Sequence, residues 1–261
     1  MAFKPFNLTG KTVLITGGNG GIGLGMAEGV AQAGADVVIW GTNEEKNAAA
    51  LKELEQYGTK VAAMKCNVGN EAEVETRFAE TLDFLGGELD ACFANAGVSS
   101  DRRKLKDGFG SMDYEEWRRV LDINLDGVFF TLRAAGRHMK ARGKGGSLSA
   151  TSSTASIMGQ ARGEHYGASK GAINAMIKGL AVEYGRHGIR ANAILPGWIE
   201  TPMTEGAFAW DKFRDNVLPR IPAGDWGKKE DFAGIAVYLV SDASRYHTGD
   251  VIVIDGAYTL F

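Results

Sequence analysis

Val13-Leu14-Ile15-Thr16-Gly17-Gly18-Asn19-Gly20-Gly21-Ile22-Gly23 is a short apolar, β-branched run that dissolves into glycines. An alanine-rich apolar pattern at Met26, Ala27, Val30 and Ala31 follows at helical spacing. Strand, glycine turn and helix in that order give the loop a physical purpose. Glycines permit a tight turn and let backbone amides approach a pyrophosphate, which then rests on the positive end of the helix. Two glycine spacings overlap in the stretch: Gly18-x-Gly20-x-x-Gly23, and Thr16-Gly17-x-x-x-Gly21-x-Gly23. Both point to a dinucleotide.

Outward from this turn the chain keeps the same rhythm. Asp36–Trp40, Lys60–Cys66, Leu89–Ala94, Gly146–Thr151, Ile189–Leu195 and Asp250–Ile254 read as further strands. Gly146–Thr151 is poor in strand formers and is assigned only because the alternation demands it. The spacers carry helical patterns, with Asn43 placed to cap the second and Asp113-x-x-Glu116 reading as the capping box of a long helix through Leu132. Strands alternating with helices imply parallel βαβ units: an α/β, single-domain, doubly wound parallel sheet of Rossmann type over residues 1–261, with helices on both faces. Ligands bind at the carboxyl ends of such strands, where Gly17, Gly41, Asn67 and Asn95 fall.

The composition fits this class. The 261 residues are 44% hydrophobic and 23% charged, with net charge −3, and no basic or aromatic-interleaved patch suggests nucleic acid. Met1–Gly10 lacks the features of a secretion signal, and no apolar run suits a membrane span. Cys66 and Cys92 sit in apolar runs and read as buried thiols of a reducing compartment, so a cytoplasmic location is expected. His138, His187 and His247 show no metal-ligand spacing, and no metal site is expected.

The chemistry concentrates in His165-Tyr166-Gly167-Ala168-Ser169-Lys170, with Ser153 upstream. On a helix Tyr166 and Lys170 share a face. A nearby ammonium favours the phenolate, so Lys170 is expected to lower the Tyr166 pKa from its ordinary value near 10. Tyr166 then exchanges a proton with a carbonyl or alcohol oxygen that Ser153 also hydrogen-bonds. His165, pointing off the shared face, reads as rim or structural. Asn124, inside an apolar pattern, needs buried partners.

Taken together, these segments resemble the short-chain dehydrogenase/reductase family over essentially the whole chain. Thr16-Gly17-x-x-x-Gly21-Ile22-Gly23, Asn95-Ala96-Gly97, Pro196-Gly197 with Thr201, and Asp255-Gly256 match its motifs. Asn124, Ser153, Tyr166 and Lys170 match its catalytic tetrad. Ala94, Asn67 and Ala257 depart from it, outside the tetrad. The resemblance implies an oxidoreductase that interconverts a secondary alcohol and a ketone with NAD or NADP. Tyr166 would be the acid/base, Lys170 would tune it and hold the nicotinamide ribose, Ser153 would orient the substrate, and Asn124 would keep a water. Cofactor contacts are implied for Gly17, Asn19, Gly21, Ile22, Gly23, Thr42, Asn67, Val68, Asn95, Ala96, Gly97, Tyr166, Lys170, Pro196, Gly197, Ile199 and Thr201. A nucleotide-binding regulator on the same fold is the competing class; the complete tetrad argues against it.

The end of the second strand bears on cofactor choice. Gly41 stands where an acidic side chain would bind the ribose of NAD, so NADP is slightly favoured and Gly41→Asp is expected to shift preference to NAD. Residues 198–226, rich in aromatics, read as a segment covering the substrate. Arg220–Gly227 resembles the corresponding stretch of sugar and sugar-acid dehydrogenases and of 3-oxoacyl reductases, while Trp198, Phe208, Trp210 and Phe213 suit a bulkier apolar ketone. A homotetramer is implied, with the apolar tail Ala257–Phe261 at or near an interface.

Overall fold

The computed structural model describes residues 4–261; the first three residues of the Met1–Gly10 segment lie outside it. Among the described residues seven strands form one parallel sheet: β1 (Thr12–Thr16), β2 (Asp36–Gly41), β3 (Val61–Lys65), β4 (Ala91–Ala94), β5 (Gly146–Thr151), β6 (Ile189–Pro196) and β7 (Val251–Ile254). Their order is β3-β2-β1-β4-β5-β6-β7, so the direction of winding reverses between β1 and β4. The crevice at that reversal is where such sheets bind ligands.

Side chains alternate across the sheet and each set needs cover. Val13, Ile15, Val37, Ile39 and Phe93 pack under α1 (Gly21–Gln32), α2 (Glu44–Glu55) and the late helix Ala233–Val240. Leu14, Val38, Cys92 and Leu148 face α3 (Glu71–Phe84) and the helices Gly127–Arg142 and Glu164–Tyr184. β5 is buried from Ser147 to Thr151 despite its composition, because it pairs with β4 on one edge and β6 on the other.

The long helix expected after Asp113 is interrupted. α4 (Tyr114–Leu121) passes into a π-helical segment, Asp122–Asp126, before α5 (Gly127–Arg142) resumes. Such wide turns mark functional positions, and Asn124 lies in this one. The capping box also forms only in part. Asp113 accepts from the Glu116 N–H at 2.6 Å, but the Glu116 carboxylate turns inward and is fully buried. Arg119 in the same helix, the Asp101 backbone N–H and buried His165 hold it there.

Beyond β6, α6 (Glu164–Tyr184) having preceded it, the chain forms α7 (Glu205–Phe208) and α8 (Asp211–Val217), before α9 (Ala233–Val240). Phe208 stacks on Trp226 at 4.1 Å between centroids, and Phe213 meets Trp198 edge-on at 4.8 Å. With Val217, Ile221 and Tyr258 they form a small apolar cluster separate from the two main layers. Among the described residues no helix is long and apolar enough to cross a membrane.

Candidate active site

A cavity of about 680 Å³ opens at the carboxyl ends of the central strands. One wall is the turn after β1. Gly21 adopts φ +50, open to glycine at little cost. A Cβ on Gly23 would lie 2.5 Å from Asn95 Nδ2 and closer still to the Gly17 carbonyl, so only glycine packs there. No side chain caps α1, whose first amides stay available to an anion. These features fit a dinucleotide pyrophosphate.

A line of hydrogen bonds ties this turn to the opposite wall. Thr16 Oγ1 accepts from the N–H groups of Asn95 and Ala96, both at 3.0 Å. Asn95 Nδ2 donates to the Thr16 carbonyl at 3.0 Å, and Thr151 Oγ1 donates to Asn95 Oδ1 at 2.9 Å. Lys170 Nζ donates to the Thr151 carbonyl at 2.7 Å. Asn95 thus joins β1, β4 and β5 at the site. The sequence offered no sign of Thr151, whose part depends on the register of β5 against β4.

Tyr166 and Lys170 occupy the first turns of α6, and with Ser153 they line the cavity. Lys170 Nζ lies 5.6 Å from the centre of the Tyr166 ring. The expected lowering of the Tyr166 pKa does not occur in this arrangement. Burial raises it above the ordinary value near 10, opposed by a hydrogen bond with the Ser153 hydroxyl. A phenolate loses more by leaving water than the lysine returns, because the ammonium is directed at the Thr151 carbonyl. Burial also brings Lys170 down to about 8.

Asn124 is fully buried behind the cavity. Its Oδ1 accepts from the Val98 N–H at 2.7 Å and its Nδ2 donates to the Val98 carbonyl at 2.9 Å. It clamps the chain just after Asn95-Ala96-Gly97.

Of the cofactor residues expected from the sequence, Gly17, Asn19, Gly21, Ile22, Gly23, Asn95, Ala96, Gly97, Tyr166, Lys170, Pro196, Gly197, Ile199 and Thr201 line this one cavity. Thr42, Asn67 and Val68 are not among its lining residues. Val68 is buried, and Asn67 Oδ1 accepts from the Gly69 N–H at 3.1 Å. At the end of β2, the space beside Gly41 is taken. Asn19 Nδ2 donates to Asn47 Oδ1 at 2.6 Å, and Asn47 Nδ2 donates to the Gly41 carbonyl at 3.1 Å. A side chain at Gly41 would collide with this pair of amides, which contradicts the simple expectation for Gly41→Asp.

His165 is entirely buried, not at the rim. Its Nε2 lies 3.3 Å from Glu116 Oε1. Beyond Tyr166 the cavity is lined by Ser99, Ser100, Asp101, Arg103, Gln160 and Arg162, with Trp198, Met203 and Trp210 on the apolar side.

Known proteins are similar to this chain over nearly its whole length. The family model described as enoyl-(acyl carrier protein) reductase matches residues 17–259. Gluconate 5-dehydrogenase of Gluconobacter oxydans (strain 621H) is 36% identical over 255 residues, covering 98% of this chain and 97% of the relative. A short-chain type dehydrogenase/reductase from Mycobacterium marinum superimposes with TM-score 0.91 at 34% identity, covering 98% of both chains. A gluconate 5-dehydrogenase from Burkholderia cenocepacia J2315, solved with NADP and tartrate, also gives 0.91 at 34% identity and covers 100% of both chains. Fold, motif order and end-to-end similarity agree: the chain belongs to the short-chain dehydrogenase/reductase family of NAD(P)-dependent oxidoreductases.

Proposed function

We propose that the protein interconverts a secondary alcohol and a ketone on a polyhydroxylated carboxylic acid, with NADP(H) as the favoured cofactor and Tyr166 as the acid/base. The observation that carries this reading is the meeting of Tyr166, Ser153 and Lys170 with the uncapped glycine turn in one cavity. The nicotinamide dinucleotide, when bound, supplies or accepts the hydride. Tyr166 Oη gives its proton to the substrate oxygen in reduction and takes it back in oxidation. Ser153 hydrogen-bonds the same oxygen and fixes its place beside the phenol. Lys170, at about 8, exchanges protons near neutral pH and stabilises the phenolate left behind. Asn124, through Val98, keeps the backbone behind Gly97 in place.

Arg162 supports a carboxylate substrate. It lines the cavity with φ +58, and its guanidinium has no ion-pair partner among the described residues. Arg103, by contrast, is held by Asp101 at 2.9 Å. A non-glycine residue in the left-handed region costs about 1–3 kcal/mol, which local structure must sustain. The relatives named for gluconate agree with this assignment. Exposed Met203 and Trp210 favour a second reading, a 3-oxoacyl or other bulky apolar ketone covered by residues 198–226.

NADP is supported by Gly41, which puts no carboxylate at the end of β2, and by Lys46, which lines the cavity while Glu44 is drawn to Lys65 at 3.4 Å. Thr42 and the free lone pair of Asn67 would complete the adenosine side. The relative solved with NADP points the same way. The free thiols of Cys66 and Cys92, both pushed up to about 12 by burial, support a reducing, cytoplasmic setting. The exposed apolar ends of Leu260 and Phe261 support a homotetramer with the tail at an interface.

The test is NADPH oxidation with 5-oxogluconate, a 3-oxoacyl thioester and an apolar cyclic ketone. The expected result is turnover of 5-oxogluconate, with KM raised about tenfold in Arg162→Met, the loss of one charge-assisted hydrogen bond. Turnover of the thioester or cyclic ketone alone would move the assignment to the second reading. Tight NADPH binding with no turnover of any carbonyl would favour a regulator.

A further inference from the structure

Glu116 is a buried carboxylate that the reaction above does not use. It sits in the first turn of α4 with 0% exposure, where an isolated charge is costly. Its surroundings are fully arranged for it. Arg119 Nε donates to Oε2 at 2.7 Å and Arg119 Nη2 donates to Oε1 at 2.8 Å. The Asp101 backbone N–H donates to Oε1 at 2.8 Å, and His165 Nε2 approaches the same oxygen at 3.3 Å. Arg119 above all holds the carboxyl down to about 2, so it is ionised throughout the working range. An ionised carboxylate only accepts, and His165 Nε2 therefore carries the proton.

Each of these donors leads into the site. His165 immediately precedes Tyr166 at the start of α6. Asp101 belongs to the cavity wall formed by Ser99, Ser100, Asp101 and Arg103. Arg119 Nη2 also donates to the Ser99 carbonyl at 2.7 Å, so that wall is fastened at two points, one carbonyl and one N–H. Otherwise it is a loop of short turns between β4 and α4, with little regular structure to hold it. One buried carboxylate thus joins the wall that faces the substrate to the helix that carries the proton donor.

We infer that Glu116, with Arg119 and His165, is a positioning cluster that fixes the 99–103 wall against Tyr166 and so sets affinity for the carbonyl substrate. None of the three lines the cavity, and each acts through the residues it holds. The inference rests on the carbonyl reduction proposed above. A residue that merely stabilised the fold would alter melting temperature but not the ratio of KM to kcat.

Arg119 is partly exposed, with its side chain at 38%, and Arg119→Met releases Ser99 while it strips the buried carboxylate of two charge-assisted hydrogen bonds, so melting temperature is measured beside the kinetics. Hydrogen exchange of residues 98–103 should quicken at least about tenfold in this variant, as expected when a tethering hydrogen bond to a charged group is lost. KM for 5-oxogluconate should rise about tenfold, with kcat within about threefold and NADPH affinity unchanged. His165→Leu should raise KM similarly, and His165→Gln, whose amide can still donate to Glu116, should recover most of the loss. Wild-type exchange and KM in both Arg119→Met and His165→Leu would overturn the inference. So would a fall in melting temperature with the KM-to-kcat ratio intact. Absence of any carbonyl turnover by the wild type would instead overturn the proposed reaction. The exchange measurement would then still decide whether the cluster holds the wall.

Discussion

Gly41→Asp tests the end of β2 most sharply. From the sequence it adds the carboxylate that would bind the ribose of NAD. In the structure a Cβ there would lie 2.5 Å from Asn47 Oδ1 and closer to the Asn19 amide, so Asn19 must leave. Its departure breaks the 2.6 Å bond to Asn47 Oδ1 and strands an oxygen on a residue only 5% exposed. An unsatisfied buried acceptor costs about 1–3 kcal/mol. At about 2–4 °C per kcal/mol for a domain of this size, a 2 kcal/mol loss lowers Tm by roughly 4–8 °C. The displaced Asn19 also belongs to the cavity wall, so cofactor placement suffers. We expect Gly41→Asp to cut kcat/KM for NADPH at least about tenfold, or 1.4 kcal/mol, without a matching gain for NADH. The double change Asn19→Gly with Gly41→Asp gives the carboxylate room and should gain NADH activity over the single variant. The assay is kcat/KM with both reduced cofactors beside thermal denaturation. A single variant with unchanged Tm and a clear NADH preference would refute the reasoning.

Tyr166→Phe keeps the ring and removes the proton; turnover should fall at least about 10²-fold with NADPH affinity nearly unchanged, and near-normal turnover would reject the acid/base assignment. Lys170 is at about 8 in the fold against an ordinary 10.5. Below pH 8 both folded and unfolded states carry its charge and the full cost of burying it is present; between pH 8 and 10.5 the folded state loses its proton first and stability gains. The stability difference between Lys170→Met and the wild type should therefore shift toward the wild type by up to about 3 kcal/mol across that window, and a difference constant from pH 7 to 10.5 would contradict the burial effect. Truncation after Gly256 removes Leu260 and Phe261, 87% and 75% exposed; the assembly state or Tm should drop, and an unchanged assembly state of unchanged stability would exclude the tail from any interface.

The sequence by itself determined the sheet, its parallel winding and the location of the site. Those features rest on local signals: apolar runs of strand length, helical periodicity, and glycines at Gly17, Gly21 and Gly23 where a backbone must turn and approach another. Ser153, Tyr166 and Lys170 were legible because helical spacing and a short interval fix which side chains meet. Only the tertiary structure decided what long-range contacts govern. β5 is a strand because β4 and β6 flank it, not because Ser147 and Ser149 favour extension. Glu116 abandons the capping box because Arg119, Asp101 and His165, brought together by packing, offer it more than the Asp113 N–H would. The amide pair of Asn19 and Asn47 fills the place beside Gly41 through contacts 28 residues apart. The Tyr166 pKa moves opposite to the expectation because spacing along a helix records proximity but not burial, and desolvation depends on every element that closes over the ring.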